Sequence, residues 1–325
     1  MEFGGDGMNE EFQGLWRETL EPWLAGLEAE RKSSVTQFLV WMIGGALLGI
    51  AVGVYFYTRG GEIIFLPFGA FFGGVAGTLI GGRRLSRLRK SVKSELNSKI
   101  AEACQLSYAL KPLAPARFDT FKGYGLLPSY TRCAFEDHFS GERLGCDFEL
   151  YEAHLEQRRS NGKSSHYVTV FRGVLIRINF PRKVEGVTVI ARDAGMFNGL
   201  AALGRSFGSK KLERIGLVDP KFEKAFEVYG TDQVLARYML NPAFMERLLA
   251  LETALKGKNV RAAFDEHSGQ GELLIAAETG NQFEAGSMFK PLADEARIKT
   301  IIEDLTRVIS IIENLVKPPE LGEGG

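Results

Sequence analysis

With 325 residues and 45% hydrophobic content, the chain has material for one large domain or two ordinary ones, as a globular or a mixed membrane protein. Its 40 Lys and Arg balance its 40 Asp and Glu, which excludes an overall field that would draw in nucleic acid or an acidic substrate from a distance.

The first element, within residues 1–34, is an amphipathic helix. Leu15, Trp16, Leu20, Trp23, Leu24 and Leu27 recur at helical spacing, and the Trp rings suit a membrane interface or a neighbouring helix. Residues 35–82 form a hairpin of two spans. Val35 to Tyr57 and Ile63 to Gly82 contain no charged residue, and each is close to the ~20 residues that cross a bilayer core. A cleaved signal peptide is not expected, given the long preceding segment, the mixed flanking charges and the lack of a small-residue cleavage pattern.

Cations gather at the outer ends of the spans: Arg31 and Lys32 before the first, and Arg83, Arg84, Arg87, Arg89, Lys90 and Lys93 after the second. The connecting turn has only Arg59, offset by Glu62, so both termini are expected in the cytosol. Gly45, Gly49 and Gly53 give the first span a smooth face, and Gly69, Gly73, Gly77 and Gly81 do the same for the second. Such G-x-x-x-G faces pack against each other or against a partner helix.

Residues 83–114 read as a basic helical stalk continuing the second span, with Leu85, Leu88, Val92, Leu96, Ile100 and Ala103 along one side and Pro112 as the stop. Its six cations, from Arg83 to Lys93, are placed to meet anionic lipid headgroups. Residues 115–292 change to an extended pattern. Segments such as CAFEDHF, CDFELYEAHLEQ, YVTVFRGVLIRINF and GVTVIAR read as antiparallel strands. A helix starting near Asp232 and interrupted at Asn241 and Pro242 follows, then two strands around Ser268 to Gly271. The expected fold class is α+β, with an antiparallel sheet at the centre of a cytosolic domain. In residues 293–317, Ile298, Ile301, Leu305, Val308, Ile312 and Leu315 make a heptad seam for the stalk or a second protomer, and residues 318–325, opening with Pro318 and Pro319, form a disordered tail.

The blocks FEDHFSGERLGCDFELYEAHL, VFRGVLIRINFP and FEVYGTDQVLARYMLNPAFMERL, preceded by two spans, resemble the bacterial two-pass membrane proteins classed as domain of unknown function 3137, also called galanin-like. The resemblance runs from the first span to about Glu278. It implies a hairpin in a bacterial cytoplasmic (inner) membrane with a cytosolic α+β domain, and brings no catalytic residues.

Candidate chemistry is sparse. Cys104, Cys133 and Cys146 fit no even disulfide framework and no close zinc-ligand pair, and read as free thiols in a reducing compartment. Glu136, His138 and Asp147 could hold a divalent cation or act as acid and base, with Glu136 and His138 on one strand face by simple alternation. Arg172 is expected to pair with a carboxylate. The glycine-rich segment from Gly195 to Lys211 matches no phosphate loop. The leading expectation is a membrane-anchored scaffold or adaptor that binds a protein partner or a second copy, without cofactor or nucleic acid. The alternatives are a membrane-tethered hydrolase or ligand or metal sensor built on Glu136, His138 and Asp147, and a module that binds anionic membrane lipid.

Overall fold

A computed structural model describes residues 12–162, 164–180, 184, 186–192, 212–217 and 219–316. The glycine-rich segment from Gly195 to Lys211 and the tail from Pro318 lie outside the described residues. The chain forms two compact units, one from residues within 2–99 and 284–300, the other from residues within 100–283 and 301–325.

The first unit is built on two long helices. Helix α1 runs unbroken from Phe12 to Thr58, with a π-helical turn at Trp16–Leu20. No Pro or Gly lies between Leu27 and Val35, so the expected boundary at residue 34 falls within one continuous helix. Phe12, Trp16, Leu20 and Leu24 are buried, and Trp23 receives Lys99 Nζ 5.5 Å from its ring centre. After the turn at Gly60, whose φ is +89°, helix α2 extends from Phe65 to Ala103. It ends earlier than Pro112. Gln105 takes a left-handed φ of 55° and Leu106 N donates to Ala101 O at 2.8 Å, the backbone bond that terminates a helix.

Among the described residues, most of the exposed large hydrophobic side chains lie between Leu39 and Ile80. In the most apolar stretch of each helix only 6% and 11% of residues are buried, the reverse of a soluble core helix. Two apolar helices with lipid-sized exposed surfaces make this a membrane protein.

The second unit is α+β. Its antiparallel sheet, in the described residues, comprises β1 (Ser107–Ala109), β2 (Arg132–Arg143), β3 (Cys146–Ser160), β4 (Ser165–Phe180), β5 (Thr188–Arg192), β6 (Glu213–Arg214), β7 (Phe226–Gly230), β8 (Lys258–His267) and β9 (Gln270–Glu278). The order across it is β1-β2-β3-β4-β9-β8-β5-β7-β6. Strand β1 arises from a segment expected to be helical stalk, because its backbone pairs with β2 through Ser107↔Ser140 and Ala109↔His138.

One face of the sheet carries Tyr151, Ala153, Leu155, Leu175, Leu274 and Ala276. It packs against helix α3 (Phe118–Gly123) and the chain that follows, through Phe118, Phe121, Tyr124, Leu126 and Leu127. On the other face Phe264 lies 5.1 Å from Phe244, ring to ring. Helix α4 (Pro220–Ala225) precedes β7. Asp232 caps α5 (Gln233–Met239) by accepting from Val234 N at 2.8 Å, and Asn241 caps α6 (Pro242–Ala254) by accepting from Phe244 N at 2.9 Å. In α7 (Glu295–Val316) the whole seam from Ile298 to Leu315 is buried, Ile302 and Ile309 with it.

Candidate functional site

The acidic strand segment folds differently from simple alternation. Glu136 pairs with Glu152 and Phe139 with Leu150, so Asp137 and His138 together oppose Tyr151 alone. Asp137 takes a φ of 51°, and the resulting bulge turns the His138 ring to within 5.9 Å of Tyr151, on the face opposite Glu136 and Glu152. The expected shared face for Glu136 and His138 is therefore corrected. Asp147 is exposed and pairs with Glu142 near the start of β3. It stands four residues from Tyr151, about 13 Å along an extended strand. The three residues do not form one site. Among the described residues no three His, Cys, Asp or Glu side chains converge as a metal site would need.

Glu136 instead lines a small cleft with Glu152, His154, Arg172 and Asn281, of about 40 Å³. That is room for a few waters. Its walls are engaged in holding the chain together. Buried Glu152 accepts from Gln282 N at 2.5 Å and Phe283 N at 3.2 Å, and His154 Nε2 lies 2.9 Å from Thr169 Oγ1. Arg172 Nε donates to the Asn281 amide oxygen at 2.7 Å, where a carboxylate partner was expected. Of the cysteines, Cys104 and Cys146 are buried thiols and Cys133 is exposed.

On the opposite face lies a charged cluster that the sequence reading missed. Arg117 donates to Asp265 at 2.7 Å and to Glu272 at 2.6 Å, and Arg177 reaches Glu149 at 3.1 Å and Glu272 at 3.3 Å. The Glu272 side chain is 1% exposed and is paired with both guanidinium groups. Burial and the Asp265 bond push the Tyr124 hydroxyl well above its ordinary pKa. Burial lowers His138, a direction that nearby Arg177 reinforces and Glu149 opposes. The Tyr151 hydroxyl is fully buried and has no hydrogen-bond partner among the described residues. One signal was present in the sequence: Arg177, Asp265 and Glu272 interrupt apolar strands, and a charge there needs an opposite charge from elsewhere in the chain.

In the hairpin the two glycine faces meet. A Cβ on Gly45 would overlap the Gly73 carbonyl, one on Gly49 the Gly69 carbonyl, and one on Gly77 the Trp41 carbonyl. At the ends, a Cβ on Gly53 would stand 2.6 Å from Phe65 O, and one on Gly81 2.8 Å from Trp41 Cβ. Among the cations that follow the second span, Arg83, Arg84, Arg87 and Lys90 are exposed. Lys93, counted with them from the sequence, is buried and bonds Glu284 at 2.9 Å, and Arg89 bonds the same carboxylate at 2.7 Å. Lys93 is thus committed to the protein and not to a headgroup.

The β3–β4 hairpin projects beyond its neighbours. β2 joins β3 only as far as Arg132↔Glu156, and β9 joins β4 only from Val174↔Ala277. In the ribbon beyond, Arg158 pairs with Tyr167 and Arg159 with His166, and Arg158 N also donates to Thr131 Oγ1 at 2.9 Å. Arg158, Arg159, His166 and Tyr167 are exposed, and Arg132 lies 3.8 Å over the Tyr167 ring.

No curated protein matches the sequence. Among solved structures, the mycobacterial trehalose monomycolate transport factor A, TtfA, aligns over 70% of this chain and 99% of its own, with a TM-score of 0.34 and 9% identity, a likeness that carries no argument about this chain. The family model described as Protein of unknown function (DUF3137) matches residues 169–317. The match begins within β4 and extends beyond Glu278, so the spans and the block around Glu136 lie outside it. Over residues 169–317 the chain is thus similar to the family of proteins of unknown function DUF3137.

Proposed function

We propose that the chain is a membrane-anchored scaffold or adaptor, not a catalyst, held in a bacterial cytoplasmic membrane with both termini and the sheet in the cytosol. The cations at the outer ends of the spans support that orientation. The observation that carries the adaptor role is the β3–β4 ribbon. A two-stranded ribbon that outruns its neighbouring strands is marginal alone, and this pair offers Arg158, Arg159 and Tyr167 as a cationic, partly aromatic contact for an acidic protein surface. By contrast, the glycine faces and the heptad seam, which from sequence alone invited partners, are covered within the chain.

The test is cross-linking mass mapping of the full chain in native membranes, beside an R158E/R159E variant. Cross-links from the ribbon to a neighbouring protein that vanish in the variant, with unchanged circular dichroism, support the role. A ribbon without neighbours, or one whose neighbours ignore the charge reversal, refutes it. A second reading, binding of anionic lipid, is favoured by the exposure of Arg83, Arg84, Arg87 and Lys90. Replacing all four with Gln should then lower the phosphatidylglycerol that co-purifies with the protein.

A further inference from the structure

The segment after the sheet has its own hold on the foot of the hairpin. Lys290 N donates to Ser287 O at 3.3 Å, closing a turn with Met288 and Phe289 at its corners. Arg31 Nη1 donates to the buried Met288 carbonyl at 2.8 Å, across 257 residues of sequence. Leu292 N donates to Glu28 Oε2 at 3.3 Å, and Glu28 and Arg31 are joined by bonds of 2.6 and 2.9 Å. The turn is strapped to α1.

The turn climbs toward the membrane. Phe289 is 57% exposed, yet its ring meets Phe38 edge-on at 5.8 Å. Phe38 lies seven residues beyond Arg31, about 10 Å along the helix. It is level with the end of the second span, since Cβ atoms on Gly81 and Gly82 would lie 3.1 Å from Phe38 Cα and 3.8 Å from its ring. At the same level Arg84 Nη1 donates to Gln37 at 3.3 Å, and Lys290 and Arg87 are exposed nearby in the chain. A large apolar ring held at the hydrocarbon boundary, with cations beside it, is the arrangement of an interfacial anchor.

We infer that the Ser287–Lys290 turn is a lipid-binding site: Phe289 enters the acyl-chain boundary while Lys290 and Arg84 meet the phosphates of anionic phospholipid. The site rests on the reading of the two helices as membrane spans, and deepens the anionic-lipid reading by adding residues from beyond the sheet. Charge complementarity and continuity with the spans select lipid over a protein occupant.

The experiment places the photoreactive p-benzoylphenylalanine in the full chain at position 289, at Leu79 in the second span, or at Val234 on α5, which is 77% exposed. Native membranes are irradiated and the adducts weighed. Phospholipid adducts at 289 and 79 but not at 234 are expected. Adducts to lipid at 79 with none at 289, or with protein at 289, overturn the anchor and leave the spans intact. Loss of lipid adducts at 79 as well overturns both. In vesicles containing phosphatidylglycerol, K290Q and R84Q should each lower the anionic share of the 289 adducts about fivefold, and an unchanged share would overturn the phosphate contact.

Discussion

Gly49→Ala adds the smallest possible side chain at the place where the two spans are nearest. The new Cβ would overlap the Gly69 carbonyl and lie 3.3 Å from Ala70 N. At the looser Gly53 the corresponding contact would be 2.6 Å, where ordinary contact begins at 3.4 Å, so the helices must part by about 1 Å even there. Lipid supplies no hydrophobic drive to hold them together, and a gap of ~1 Å forfeits a quarter to a half of the dispersion attraction along the seam. The expected loss is about 1–3 kcal/mol, offset in part by the better helix propensity of Ala. Gly44 is the control, because a Cβ there meets nothing within 4 Å. Stability can be followed by helicity in mild detergent as sodium dodecyl sulfate is titrated in. If Gly49→Ala unfolds within about 0.3 kcal/mol of Gly44→Ala, the account of the glycine seam is wrong.

Arg117→Met should be among the most destabilising single changes in the sheet unit, costing about 3 kcal/mol, because it leaves Asp265 and the buried Glu272 short of a charge partner while Arg177 still covers part of the loss. Thermal unfolding in detergent checks this, and a cost below that of a surface Arg substitution would contradict it. The strap at the foot of the hairpin should respond to acid. Arg31 holds the Glu28 carboxyl below its ordinary 4.5, and for Glu284 the bonds from Lys93 and Arg89 outweigh the upward push of burial. Both carboxylates therefore contribute stability above pH 4.5 that is lost as pH falls further, through their folded-state values. Amide exchange between Glu284 and Arg297, corrected for intrinsic rates, should rise only below that pH, and E284Q should raise it at neutral pH. A rise that begins well above 4.5 would assign the effect to other groups. Maleimide applied to the native protein should modify Cys133 and spare Cys104 and Cys146 until denaturant is added, since only Cys133 is exposed and burial also raises the Cys146 thiol. Mass spectrometry of the labelled peptides reads the order directly.

The strap and the buried charge cluster share one physical theme. Charges near the membrane foot and inside the sheet are paired across large sequence separations, 191 residues for Lys93 with Glu284 and 155 for Arg117 with Glu272. Each pair removes a cation from the set that could meet lipid or ligand. Arg83, Arg84, Arg87 and Lys90 after the second span and Arg158 and Arg159 on the ribbon are among the cations that stay exposed.

Features that depend on neighbours in sequence were legible in the residues themselves. The two uncharged stretches, the period-four glycines, the caps at Asp232 and Asn241 and the extended segments of an α+β domain follow from hydropathy, helical spacing and side-chain bonds to nearby backbone. Features that depend on pairing at a distance were decided only by tertiary structure. The bulge at Asp137, set by its register against β3, moved His138 to the other face and dissolved the expected site with Glu136 and Asp147. Likewise the burial of Lys93, the conversion of Ser107–Ala109 into an edge strand and the contact of Phe289 with Phe38 each need a partner that local sequence does not name. Local periodicity specifies which face of an element is apolar, whereas register and long-range charge pairing specify what that face meets.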